Sequence, residues 1–152
     1  MEWLNVSGLI FTAILLIPNI IYAVRQRAGF ENKWNNKTVE LLEQIGRFGC
    51  IAFMCFHIPG TWSGWWSDEG FALYFIVNNL LILTYLIIWI ICFRKNNLFR
   101  AVALSVLPSV LFLFSGIMSR SLLLILSALL FAPCHILISC KNARLERIDK
   151  LE

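Results

Sequence analysis

Residues 71–93 read FALYFIVNNLLILTYLIIWIICF, a run without a single charged side chain. At about 1.5 Å per residue a helix over this run is ~35 Å long, enough to cross the ~30 Å hydrocarbon core of a bilayer. Apolar and polar residues do not alternate along it, as they would in a barrel strand. Backbone groups in lipid have to be satisfied within the protein, and only helices and closed barrels achieve that. The run therefore points to an all-α, polytopic integral membrane helix bundle.

Four further apolar segments lie outward of this one, at about Trp3–Val24, Leu41–Pro59, Ala101–Met118 and Ser121–Cys140. The chain is 59% hydrophobic and 14% charged. A soluble domain has about 45–50% and about 25%, so the excess belongs to the membrane class. Roughly 100 of the 152 residues fall in the five segments. That leaves one membrane domain over 1–152 with a short basic tail, 141–152, and no room for a separate soluble unit. The opening MEWLN lacks the basic region of a signal peptide, so the first segment is expected to be an uncleaved span.

Orientation follows from the basic residues of the short connections. The first holds Arg25, Arg27, Lys33 and Lys37, and the third Arg94, Lys95 and Arg100. The tail holds Lys141, Arg144, Arg147 and Lys150. The second connection, TWSGWWSDEG, has none, and the turn before the fifth segment has only Arg120. The alternation predicts five transmembrane helices with the N-terminus outside and the C-terminus cytoplasmic, in a multi-pass protein of the plasma membrane. Asn36-Lys37-Thr38 matches a glycosylation triplet but falls on the expected cytoplasmic side.

The second segment is the weakest. Its uncharged stretch, Phe48–Pro59, is too short to span alone. Without it, however, the third connection and the tail would both lie outside, against their charge. A spanning second segment carries Glu43 and Arg47 into the cytoplasmic part of the membrane. Glu43, Arg47, Cys50, Met54 and His57 follow steps of three and four and share one helix face, opposite Ile45, Phe48, Ala52 and Phe56. Glu before Arg at i,i+4 is the favourable order for a pair. Arg47 sits roughly 9 Å along the helix from Leu41, within snorkelling reach of headgroups.

The other segments carry similar stripes: Asn5, Gly8, Thr12, Leu15, Asn19; Asn78, Ile82, Tyr85, Trp89, Cys92; Ser105, Ser109, Phe112, Gly116; Ala128, Phe131, His135, Ser139. Small and hydrogen-bonding residues join membrane helices, and the same inward stripes suit a cavity lining. Pro18, Pro108 and Pro133 each remove a backbone donor within a segment. Pro18 and Pro133 fall at the depth of Glu43 and Arg47 and stand beside Asn19 and close to His135. A cytoplasm-facing polar pocket from Asn19, Glu43, Arg47 and His135 is the expected site. At the outer end, His57, Trp65, Trp66, Asp68 and Asn78 are the candidates. The tryptophans suit an aromatic belt, or a cage with the acids for a cationic group.

The five cysteines show neither CxxC nor Cys/His spacing and read as small buried hydrophobes; no metal or cofactor is expected. Basic patches with interleaved aromatics are missing, so nucleic acid has no support. Nucleophile-elbow, zincin and phosphate-loop motifs are missing as well. Size, five spans and six tryptophans invite comparison with the tryptophan-rich sensory/translocator proteins, five-helix binders of porphyrins and sterols. The Pro- and Trp-rich loop of that family has no counterpart, because the first connection has Trp34 alone and no proline.

Three functional readings fit these residues. One is a binder or transporter of a small polar or amphipathic solute. A second is a partner subunit of a membrane complex whose polar residues only join helices. The third is an intramembrane enzyme on a lipid-like substrate, with Arg47 for a phosphate and His135 as base. The expected surroundings are the lipid bilayer, with a homo-oligomer or membrane partner as the assembly that would help five short helices enclose a path.

Overall fold

The computed structural model describes residues 3–25, 33–93 and 98–149. Five helices follow in order: α1 (Val6–Arg25), α2 (Lys37–Cys55), α3 (Asp68–Cys92), α4 (Leu98–Met118) and α5 (Leu122–Asp149). Among the described residues the only extended pairing is two isolated bridges, Leu4 with Phe56 and Trp62 with Ser121. Arg27, Arg94, Lys95 and Lys150 lie outside the described residues.

Capping chemistry sets several ends. Asn5 accepts the Gly8 amide at 3.0 Å, so α1 starts at Val6 and not at Trp3. Asn36 accepts the Val39 amide at 3.3 Å and opens α2 four residues before its apolar stretch. Ser67 accepts the Gly70 amide at 3.0 Å and starts α3 at Asp68. At the other extreme, α5 does not stop at Cys140. It runs unbroken to Asp149, and Asn142 accepts the Trp34 amide at 2.9 Å.

Four helices are long and apolar enough to cross a membrane: α1, α3, α4 and the stretch Leu122–Ile148 of α5. α2 is excluded from that set because Glu40, Glu43 and Arg47 dilute its first half. It is nonetheless about 28 Å long and runs antiparallel to α1, which is about 30 Å. The end of this pair where α1 begins and α2 finishes is tied by two backbone bonds, Asn5 N–H to Cys55 O at 2.9 Å and His57 N–H to Trp3 O at 2.8 Å.

The helices close a ring. α1 touches α2 and α3, α3 touches α4, and α5 packs tightly between α4 and α2. Glycine makes the α2–α5 contact close: a Cβ at Gly46 would stand 2.7 Å from the Phe131 backbone nitrogen, and one at Gly49 2.4 Å from Ser127 Oγ. The polar and small-residue stripes turn inward. Asn5, Thr12, Leu15, Cys50, Met54, Asn78, Ile82, Tyr85, Trp89, Ser105, Ser109, Phe112, Ala128 and Phe131 are all buried. Facing outward are Ile17, Ile20, Phe48, Ile76, Leu80, Ile87, Ile90, Leu126 and Leu129, an apolar surface larger than water-exposed proteins tolerate.

Buried polar pairs link neighbours through this core. Asn5 Nδ2 donates to the Tyr74 hydroxyl at 3.3 Å, Asn19 Nδ2 to the Tyr85 hydroxyl at 3.0 Å, and Ser115 Oγ to Asn78 Oδ1 at 3.1 Å. The first two join α1 to α3 and the third joins α3 to α4. Each is worth on the order of 0.6 kcal/mol in a membrane bundle.

Candidate functional site

A cavity of about 590 Å³ lies inside the ring, between α1, α2, α4 and α5, with Trp89 of α3 on its wall. Its rim includes Lys33, Asn142 and Glu146, at the end of the bundle where α1, α3 and α5 finish and α2 and α4 begin. From there it reaches inward past mid-bundle, to Thr12, Ile51 and Phe112. The volume falls in the range of small-molecule sites.

Asn19, Glu43, Arg47 and His135 all line this one cavity. Three of them form a cluster. Glu43 is buried, and its Oε1 accepts from Arg47 Nε at 3.0 Å and from Arg47 Nη2. His135 Nδ1 lies 2.8 Å from the same oxygen. The helical i,i+4 step supplies the Arg47 contact, and the Gly46 and Gly49 approach brings α5 near enough for His135. Phe131, one turn before His135, stacks on the imidazole with centroids 4.6 Å apart. Burial of a lone carboxylate is costly, and two cationic or donor partners offset it. The Arg47 side chain stays 43% exposed while that of Glu43 is 4% exposed, so the pair is open on the arginine side only.

Asn19 stands apart from this cluster, with Tyr85 as its partner. Its Nδ2 also donates to Leu15 O at 3.1 Å, one turn back. On α4, Pro108 lines the cavity and cannot donate to Leu104 O, which loosens the helix at this depth.

Arg100 is the lining residue that sequence reasoning missed as a site, having counted it only with the basic third connection. The structure places it in the first turn of α4, buried, with its guanidinium 4.2 Å from the Tyr22 ring centroid and 4.9 Å from that of Trp89. A signal existed: Arg100, Leu104 and Pro108 repeat every four residues on one face of α4.

The outer-end candidates do not converge. His57 is buried and stacks on Trp62 at 4.2 Å. Trp65 packs edge-on to Phe71 at 4.9 Å and against Tyr74 at 4.7 Å, part of the core. Trp66 is exposed, donates to Ile117 O at 2.9 Å and carries Arg120 over its ring. Asp68 is exposed in the first turn of α3. Asn78 is fully buried between Tyr74 O and Ser115. Trp65 and Asn78 share Tyr74 as a neighbour, while His57 and Trp66 touch other partners.

Chemically, His135 oriented by a carboxylate through Nδ1 is half of a general-base arrangement. Among the described residues no Ser, Thr or Cys hydrogen-bonds it. Nor, among the described residues, do three His, Cys, Asp or Glu side chains gather in a way suited to a metal.

No protein-family model, curated protein or solved structure matches this chain.

Proposed function

We propose that the protein crosses the plasma membrane five times and binds or transports a small polar or amphipathic solute through a cavity open to the cytoplasm. The carrying observation is that Asn19, Glu43, Arg47 and His135, from three helices, line one cavity in addition to the contacts they make between helices. A subunit that used these residues only to join helices would not need a space of this size beside them.

Support for α2 as a fifth span comes from its length and its antiparallel course along α1, with its C-terminal end held at the start of α1. The charge that weakens its hydropathy is spent on the cavity side, while Ile45 and Phe48 face outward. Support for the orientation comes from the rim end, which carries Arg25, Lys33, Lys37, Lys141, Arg144 and Arg147. The opposite end has Arg120 with Asp68 and Glu69. Positive residues gather on the cytoplasmic side. Assembly as a homo-oligomer would help enclose a transport path.

The test combines two measurements. Native mass spectrometry of the mildly extracted protein reports retained ligand and oligomeric state together. Ser139→Cys, in a background with Cys134 and Cys140 replaced by Ser, is labelled by an impermeant maleimide. Labelling in inside-out but not right-side-out vesicles is expected. Labelling from the outer side defeats the orientation, and no labelling from either side defeats an open, wet cavity.

A further inference from the structure

The seam between α1 and α2 tightens toward one end. Where α1 begins, backbone bonds join Asn5 to Cys55 and Trp3 to His57, and a Cβ at Gly8 would collide with Met54 O. Gly8, Thr12, Leu16 and Ile20 then follow every four residues along this flank of α1. Burial falls in that order: Gly8 and Thr12 are buried, Leu16 is half-buried and Ile20 is 59% exposed.

α2 repeats the gradient. Met54 is buried, Ile51 is half-buried, the Arg47 side chain is 43% exposed and Gln44 is exposed. In the ring α2 stands between α5 and α1. Gly46 and Gly49 meet α5, and Gln44, Arg47 and Ile51 lie on the other flank, toward α1.

Leu16, Gln44, Arg47 and Ile51 all line the cavity, whereas Trp89, Phe112 and Phe131 on its other walls are buried. The cavity is therefore open at its side, through a wedge between α1 and α2 that widens toward the rim. The helix surface flanking the wedge is apolar, with Ile17, Leu41 and Ile45 exposed, so the wedge faces hydrocarbon.

Polarity changes along the cavity as it does across a leaflet. Lys33, Asn142 and Glu146 stand at the rim, and Ile51, Leu104, Phe112 and Phe131 surround the inner part. An amphiphile in the adjoining leaflet holds its head and tail in that order, so sliding in sideways needs no inversion. The charged lining is balanced, with Lys33, Arg47 and Arg100 against Glu40, Glu43 and Glu146. Such a wall is complementary to a head that bears both signs or neither. A volume of about 590 Å³ suits a head with one chain.

Resting on the reading that the cavity is a binding site, we infer that its occupant is a single-chain amphiphile with a net-neutral head. It enters from the adjoining leaflet through the α1–α2 wedge, and its tail lies among Ile51, Leu104, Phe112 and Phe131.

The protein in phosphatidylcholine vesicles is given lysophosphatidylcholine with a diazirine at the end of its chain, illuminated, and mapped by peptide mass spectrometry. Saturable adducts are expected at Phe112 and Phe131. Unlabelled lysophosphatidylcholine should compete, and glycerophosphocholine, the same head without a tail, should not. Gln44→Trp and Ile20→Trp fill the wedge at exposed positions and should slow cavity labelling about tenfold. Phe48→Trp, on the outward face of α2, should leave it unchanged, as should all three variants for adducts at the outward Leu126 and Leu129. Unchanged cavity labelling in the wedge variants overturns side entry and leaves the cavity a binding site. The competition arms use the wild type and decide if neither wedge variant folds. Competition by glycerophosphocholine as strong as by the lysolipid overturns the tail. Lysophosphatidylglycerol or decyltrimethylammonium competing about tenfold better overturns the net-neutral head. If saturable cavity adducts are missing while Ser139→Cys is labelled from the cytoplasmic side, the amphiphile falls and a water-fed cavity stays. If that labelling is missing as well, both readings fall.

Discussion

His135 Nδ1 and Glu43 Oε1 stand 2.8 Å apart although 92 residues separate them along the chain. The contact joins α5 to α2 and gives a buried carboxylate a second partner beside Arg47, whose side chain is 43% exposed.

Coupling between these two residues is the first prediction. Glu43→Gln, His135→Ala and the double variant, compared by unfolding in mixed micelles, should give an interaction energy of about 0.5–3 kcal/mol. Arg47→Ala should cost less than about 1 kcal/mol, because an exposed partner is solvent-screened. Strict additivity of the Glu43 and His135 effects would contradict the cluster.

Gly46 should tolerate no side chain. Gly46→Ala puts a Cβ 2.7 Å from the Phe131 backbone nitrogen, and backbone cannot swing aside as a side chain can. The expected loss is about 1–3 kcal/mol in an unfolding titration, with α5 pushed from α2. Gly70→Ala is the control: its nearest neighbour would be the Trp66 Cβ at 3.4 Å, and stability should hold or rise by about 0.5–1 kcal/mol. Equal behaviour of the two variants would refute the close α2–α5 approach.

Asn78 and Ser115 form a dry contact between α3 and α4. A double-mutant cycle with Asn78→Ala and Ser115→Ala should return about 0.6 kcal/mol, and no more than about 1.7. Solute binding should survive, because neither residue lines the cavity. Loss of binding in a folded Asn78→Ala protein would return Asn78 to the functional residues.

Arg120 turns the chain between α4 and α5 with φ at +49°, a conformation that disfavours branched side chains. Arg120→Val should therefore cost about 1–2 kcal/mol. Arg120→Gly relieves the backbone but gives up the contact over Trp66, and should fall within about 0.5 kcal/mol of wild type. A thermal melt of the two variants separates these outcomes.

The inward stripes could be read from spacing because helix geometry is local. Asn5, Thr12 and Leu15, or Ser105, Ser109 and Phe112, follow the three-four rhythm that puts them on one face, and the structure buries them. Helix ends were harder. Asn36 and Ser67 capture amides outside the apolar runs, and α5 continues through a polar tail, where hydropathy has no signal but Asn142 finds Trp34. Arg100 escaped notice for a related reason. As a charge beside a connection it looked solvated, and only the rings of Tyr22 and Trp89, from α1 and α3, make its burial tenable.

By itself, the sequence determined the helical class, the long apolar segments and the face each helix turns inward, because hydropathy and periodicity act over a few residues. The tertiary structure alone decided which faces meet. It closed the ring with α5 between α2 and α4, brought His135 to Glu43, and gathered Asn19, Arg47 and Arg100 around one cavity. Those outcomes depend on how near two backbones approach, at Gly46 and Gly49 above all, and on partners dozens of residues away, which no local pattern encodes.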